Sequence, residues 1–321
     1  MSLIKRIFGL VFFIIIVFVF IIFIWSFLPQ EEANLGKISV EGHFVALRFN
    51  LDKESFPLFD EIINFRFGKK FVIGRLSRCV LKVAGYFFSP LSFIVLVDES
   101  QKEEFDYTLL IKSKKLTRFA EIPLFLYLNR PGISKDYKLT KRQGFLIWDR
   151  TELDKGKDFK SFAQYKDTYF LSTSKERLHS LIDCFNITKR KENRLKNFLN
   201  ERYRKPLFIY IDNKTGIIDY YLTKVLEKTS YNFFLTIDNL DEVYIYLSND
   251  YKNRINKGEV NFIFKPETDF KDARKDIWFV SQILKRVFEA NFYQFNYNVK
   301  MSDSHIVLNF ELAKKRREKD D

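Results

Sequence analysis

Cysteine is nearly absent: the chain has two, Cys79 and Cys184, in 321 residues. Two thiols cannot staple a small secreted scaffold or furnish a four-cysteine metal site. Glycine is scarce too, at 11 residues, which excludes collagen-like and glycine-rich repeat architectures. Histidine is limited to His43, His179 and His305, which fall in three separate segments, none with another His or a Cys within four residues. Zinc needs three or four such ligands at helical or loop spacing, so no metal site is read and no cofactor is expected. The nucleophile-elbow pattern Gly-x-Ser-x-Gly is missing. Gly68 and Gly74 are separated by five residues and followed by Arg75-Leu76, which does not make a phosphate loop.

What is present is apolar bulk and positive charge. Hydrophobic residues make up 46% of the chain, enough for a packed core. Lys and Arg number 54 against 41 acidic residues. Phe is abundant, at 37. The Lys, Phe, Ile and Asn richness is that of an AT-rich bacterial genome, so part of the basic excess is compositional.

The run from Ile7 to Leu28 is 22 residues long, and only Gly9 and Ser26 in it are not strongly apolar. At ~1.5 Å per residue a helix of that length spans roughly 33 Å, the hydrocarbon thickness of a bilayer. In lipid the backbone must satisfy its own hydrogen bonds, so a helix is expected despite the Val, Ile and Phe content. Trp25 suits the interface. The run is too long for a signal-peptide core, and no small-x-small cleavage pair follows it. Lys5 and Arg6 precede it; Glu31 and Glu32 follow. The positive-inside rule therefore predicts a single-pass signal anchor in the bacterial inner (cytoplasmic) membrane. Residues 1–6 would be cytoplasmic, 7–28 membrane-spanning, 29–36 a linker and 31–321 periplasmic or extracellular.

Periodicity predicts an α+β ectodomain of mostly antiparallel sheets with packed helices. Strands are expected at 37–51, 91–97, 107–111, 137–141, 145–148, 168–171, 207–211, 233–237, 243–247, 260–264, 293–299 and 306–312. Segment 76–86 reads as strand or helix. Helices are expected at 54–66, 116–128, 189–203, 217–226 and 269–291, and after the capping box Thr173-x-x-Glu176. With 76–86 taken as a strand, both halves read β-α-β-β-β-α-β-β, a pattern of two structural repeats; a single α+β domain is the alternative. The first half would be 37–186, a basic connecting helix 187–206, the second half 207–313 and a disordered charged tail 314–321.

Within the connecting segment Lys189, Arg190, Lys191, Arg194, Lys196 and Arg202 form the densest basic cluster, a candidate site for an anionic lipid headgroup, an acidic envelope polymer or another envelope protein. Nucleic acid is not an expected partner for a domain outside the cytoplasm. Cys79 and Cys184 are a candidate disulfide in an oxidising compartment, with two buried thiols as the alternative. The paired carboxylates Asp238/Asp241 and Asp269/Asp272 read as turn and helix-start residues. The sequence-level expectation is a membrane-anchored binding or scaffolding module. An envelope hydrolase or transferase with an unrecognised site is the alternative.

Overall fold

A computed structural model describes residues 16–17, 20–21, 31–33, 45–51, 55, 91–99, 105–113, 137–151, 159–185, 206–213, 216, 239–250, 255–290, 293–302 and 305–314. The strands in chain order are β1 (Val45–Leu51), β2 (Leu91–Glu99), β3 (Phe105–Lys112), β4 (Tyr137–Arg142), β5 (Phe145–Arg150), β6 (Ser161–Tyr165), β7 (Thr168–Ser172), β8 (Leu207–Asp212), β9 (Leu240–Asp250), β10 (Ile255–Phe264), β11 (Tyr293–Met301) and β12 (His305–Lys314). Helix α1 (Lys175–Phe185) follows β7, and helix α2 (Phe270–Ala290) joins β10 to β11. All twelve strands belong to one sheet, ordered β11-β12-β10-β9-β8-β1-β2-β3-β7-β6-β5-β4. Every neighbouring pair is antiparallel. The α+β class stands, with the several expected sheets merged into one.

Side-chain alternation explains how one sheet carries two cores. Successive residues of a strand point to opposite faces. In β9, Val243 joins one cluster with Val260, Ile306, Leu308 and the α2 residues Ala273 and Ile277. Its neighbour Tyr244 joins the other, with Ile94, Leu110, Phe170 and the α1 residues Leu178, Leu181, Ile182 and Phe185. The two helices thus cover opposite faces. Strand β2, a nearly continuous apolar run, buries Ile94 and Leu96 completely on one face and half-buries Phe93 and Val95 on the other, as a strand covered on both sides should. Strand β11 instead alternates buried Tyr293 and Phe295 with exposed Gln294, Asn296 and Asn298, so one of its faces is solvated.

The pairing gives the sheet two rims. The first rim carries the turns at 142–145 and 165–168, the end of β3 and the start of β8. At the β4–β5 turn both Gln143 (φ 50) and Gly144 (φ 85) take the left-handed backbone that a two-residue hairpin requires. Helix α1 ends at this rim: Phe185 packs edge-on against Phe145 (5.2 Å between ring centres) and Tyr165 (4.9 Å). Arg142 pairs with Asp183 at 2.7 Å beside them. The second rim carries the β2–β3, β5–β6 and β11–β12 connections and the start of α1.

Strands expected at 45–51, 91–97, 107–111, 137–141, 145–148, 168–171, 207–211, 243–247, 260–264, 293–299 and 306–312 are present, as is the helix over 270–290. The structure adds β6, which the sequence reading missed. It also moves the helix cap one residue along. Ser174, not Thr173, caps α1: its Oγ accepts the Arg177 amide at 3.3 Å and donates to Glu176 Oε2 at 3.2 Å. Thr173 Oγ1 is taken by the β3 backbone, accepting from the Tyr107 amide at 3.0 Å. The pattern alignment paired β4–β5 with β11–β12. In the sheet, β12 lies beside β10, whereas β3 lies beside β7. The predicted elements at 37–44, 54–66, 76–86, 116–128, 189–203, 217–226 and 233–237, and the tail at 315–321, lie outside the described residues, save for Ser55.

Candidate functional site

Residues 31–33 dock on the first rim. The Ala33 amide donates to Asp167 Oδ1 at 2.7 Å, and Lys112 Nζ donates to the Ala33 carbonyl at 3.1 Å. Strand register places these partners together, because Lys112, the last residue of β3, lies opposite Thr168, which follows Asp167. Thr168 Oγ1 donates to the same Asp167 oxygen at 3.2 Å, and Lys112 Nζ stands 3.9 Å from Asp167 Oδ2. Ala33, Asp167 and Thr168 are buried almost completely. Burial pulls the Lys112 ammonium below its ordinary range; Asp167 opposes that pull and Arg48 adds to it. Outside the clamp, Lys166 reaches Glu31 at 3.0 Å.

The clamp ends a buried polar row across four adjacent strands, Asn50, Ser92, Lys112 and Thr168. Ser92 Oγ donates to Asn50 Oδ1 at 2.6 Å, and Arg48 Nε donates to the same oxygen at 3.2 Å. Burial also lowers Arg48 from its usual value. Buried polar groups are costly unless bonded, so this row fixes one register for the strand ends and one seat for residue 33.

A second network joins β5, β6 and α1. Asp149 accepts Ser161 Oγ at 2.7 Å on Oδ1, and His179 Nε2 lies 2.9 Å from Oδ2. Lys175 Nζ is 3.8 Å from the same oxygen. Serine, histidine and aspartate are all here, but the carboxylate sits between the other two. A nucleophilic serine needs an imidazole at its hydroxyl and access to substrate. Ser161 has no exposed surface. The arrangement suits a structural tie that holds α1 on the sheet.

An open concavity of about 410 Å³ lies on the α1-facing side of the sheet beyond that helix, over β10, β12 and β11. It is lined by Lys257, Asn296, Asn298, Asn309 and Glu311, with Gly258, Tyr297 and Phe310 behind them. Register sets these groups in two rows: Asn296–Glu311–Lys257, and Asn298–Asn309–Glu259. Lys257 and Glu311 pair at 3.3 Å with both side chains half exposed. Three amides and one paired charge offer donors and acceptors with little net charge, chemistry that suits a neutral polar ligand. Nearby on the same face Tyr244 donates to Glu242 at 2.7 Å, and Tyr210 donates to it at 3.4 Å. Burial holds the Tyr210 phenol protonated far above its usual range, with the Glu242 charge adding to the effect.

Of the residues singled out from sequence, Lys189, Arg190, Lys191, Arg194, Lys196, Arg202 and Cys79 lie outside the described residues. Cys184 is half-buried on α1, so the disulfide expectation rests on the undescribed Cys79. His179 and His305 are both half-buried. Among the described residues no three potential metal ligands gather. Asp269 takes the expected helix-start role, accepting the Lys271 amide at 2.8 Å. Asn213, in an Asn-x-Thr sequon, is buried and donates its side-chain amide to the Leu240 carbonyl. The predicted span 7–28 lies outside the described residues apart from Ile16, Val17, Phe20 and Ile21, which are helical and exposed. Among the described residues no helix is long and apolar enough to cross a membrane. The clamp residues escaped the sequence reading: Asp167 looks like an ordinary turn residue, and nothing near it points to residue 33.

No protein-family profile matches the chain, and no curated protein does. Among the solved structures that resemble it are crystal form IV of TP0453, at 13% identity over 89% of this chain and 95% of that one, with a TM-score of 0.49, and crystal form I of TP0453, at 12% identity over 88% and 94%, with a TM-score of 0.46.

Proposed function

We propose that the chain is a single-pass membrane-anchored protein of the bacterial envelope whose α+β body is a binding or scaffolding module rather than an enzyme. The observation that carries the reading is the seating of residues 31–33, directly after the predicted span, in a buried charged clamp. A chain that needed its N-terminal segment only for targeting would have no reason to build Asp167 and Lys112 around it. The exposed helical side chains of Ile16, Val17, Phe20 and Ile21 add support, since four large apolar groups without protein cover suit lipid. The buried Ser161 argues for a structural role of its network, and the amide-lined concavity beside edge strand β11 is the surface that best suits a ligand.

In this reading the body consists of two repeats about the β1–β8 pair, the meanders β1-β2-β3 and β8-β9-β10 running outward from it. The orientation is the one expected from the flanking charges, with the body in the periplasm or outside the cell. Two measurements test the reading on the native membrane. Alkaline carbonate should leave the chain in the membrane pellet, and trypsin should reach the body in spheroplasts, with cleavage in intact cells marking a body outside the cell and protection there a periplasmic one. Release by carbonate, or protection in spheroplasts, would sink it.

A further inference from the structure

The concavity over β10, β12 and β11 is floored by side chains whose order the register fixes. One row across the sheet is Asn298, Asn309, Glu259 and Tyr246, the last on β9. The row beside it is Asn296, Glu311, Lys257 and Ser248. Strands lie ~4.8 Å apart and residues i and i+2 of a strand ~7 Å apart, so each row is roughly 14 Å long and the two run side by side. Asn296 and Asn298 are exposed, and Asn309 is half-buried on the strand between them and β10. A volume of about 410 Å³ is in the range of small-ligand sites.

The floor carries no net charge. On this side β10, β11 and β12 set Lys257 and Lys300 against Glu259 and Glu311. Lys257 is taken by Glu311 at 3.3 Å, and Glu259 accepts the Asn261 side-chain amide at 2.8 Å. An ionic ligand would have to break one of these contacts. An apolar ligand would strip water from the amides and return no bonds. Hydroxyl groups suit them better. Each amide presents a donor NH2 and an acceptor oxygen in one plane, so two neighbouring hydroxyls of a sugar ring can bond to one Asn, one giving and one accepting. The far end of the row supplies an aromatic ring. Tyr246 is half-buried, with its ring 4.4 Å from that of Phe208, so its position is set before a ligand arrives. An aromatic ring next to hydrogen-bonding groups takes a ligand that is apolar on its faces and polar at its edges, as a sugar is.

We propose that this concavity binds a neutral oligosaccharide laid across the strands, with Asn296, Asn298 and Asn309 bonding its hydroxyls and Tyr246 receiving a sugar ring at one end. The proposal deepens the binding-module reading and rests on it, though not on the membrane anchor.

The test uses the full chain in a detergent without a sugar headgroup. The probes are linear oligosaccharides of β-linked glucose, α-linked glucose and N-acetylglucosamine, read by isothermal titration. At least one should bind with a Kd below ~1 mM. Its monosaccharide should bind about tenfold more weakly or worse, because one ring meets only part of each row. Affinity should hold between low and high salt, since the ligand makes no ion pair. Asn298→Ala and Asn309→Ala should each weaken binding about tenfold with the circular dichroism of the chain unchanged. Arg274→Ala, on α2 over the opposite face, should change nothing. Failure of every oligosaccharide to bind overturns the proposal, as does binding indifferent to both asparagine changes. Affinity that falls steeply with salt, or a preference for sulfated dextran, would overturn it too by showing that charge selects the ligand. Cleavage of a bound oligosaccharide would support the ligand class and overturn the non-enzymatic reading instead. The anchor is tested separately, by carbonate and trypsin, and none of these outcomes bears on it.

Discussion

The amide of Ala33 and the carboxylate of Asp167, 134 residues apart, meet at 2.7 Å with no solvent between them. The carboxylate also balances the buried Lys112 ammonium. Asp167→Asn keeps the shape but leaves that ammonium without its counter-charge. The expected loss is about 3 kcal/mol in denaturant unfolding of the full chain, with faster hydrogen exchange at the Ala33 amide. Adding Lys112→Met should recover much of the loss, since an apolar replacement for a buried pair is often neutral. An Asp167→Asn variant of unchanged stability and unchanged exchange at Ala33 would show that the clamp is ornamental.

Gly258 sits in β10 directly opposite Phe310 of β12. The phenyl ring lies across the glycine so closely that an added Cβ would run into Phe310 Cζ. On its other side the ring lies 5.4 Å from that of Phe295. Gly258→Ala should cost about 2 kcal/mol from overpacking. Combined with Phe310→Leu, the alanine should cost less than it does alone. Simple additivity in that double-mutant cycle would contradict the packing described.

Two adjacent hydroxyls before α1 have different duties. Ser174→Ala removes the cap of the helix and should cost about 1 kcal/mol, with the loss recovered by Ser174→Asp. Thr173→Ser keeps the bond to the Tyr107 amide and should be nearly silent. If Thr173 were the cap, substitutions at Ser174 would be the silent ones.

Tyr210 makes a prediction about alkaline stability. Its folded-state proton is held above the usual range by burial, while in the unfolded chain it leaves near pH 10. Its contribution to stability is therefore intact below about pH 10 and falls as pH rises past that value. Lys112, lowered by burial, has the opposite sign: its unfavourable burial eases as pH approaches the ordinary lysine value. Comparing Tyr210→Phe with the parent chain between pH 8 and 11 isolates the tyrosine. The parent should lose more stability than the variant over that interval, and parallel curves would refute the assignment.

Strands with a repeating apolar signal could be read from the chain alone. β2 announces itself by its continuous apolar run, and β11 by strict alternation. β6 does not, because two of its five residues are Ser161 and Gln164, and the burial of Ser161 depends on Asp149 in the neighbouring strand. The cap was misplaced by one residue because Thr173 and Ser174 carry the same chemistry, and only β3 decides between them. The clamp could not be read at all. Each member is an unremarkable residue locally, and the site exists only once register sets β3 beside β7 and brings residue 33 to both.

The place of β1 in the middle of the sheet has a consequence for biosynthesis. Its two neighbours are β2 and β8, and β8 begins at Leu207, on the far side of all that is paired with β2 and β3. At ~5–20 residues per second, roughly 8–30 s separate the end of β1 from the arrival of its second partner. For that interval a strand edge with the alternating sequence Val-Ala-Leu-Arg-Phe-Asn-Leu would stand open to aggregation. The two halves cannot mature one after the other, and a chain truncated before Leu207 should need a holding chaperone to stay soluble.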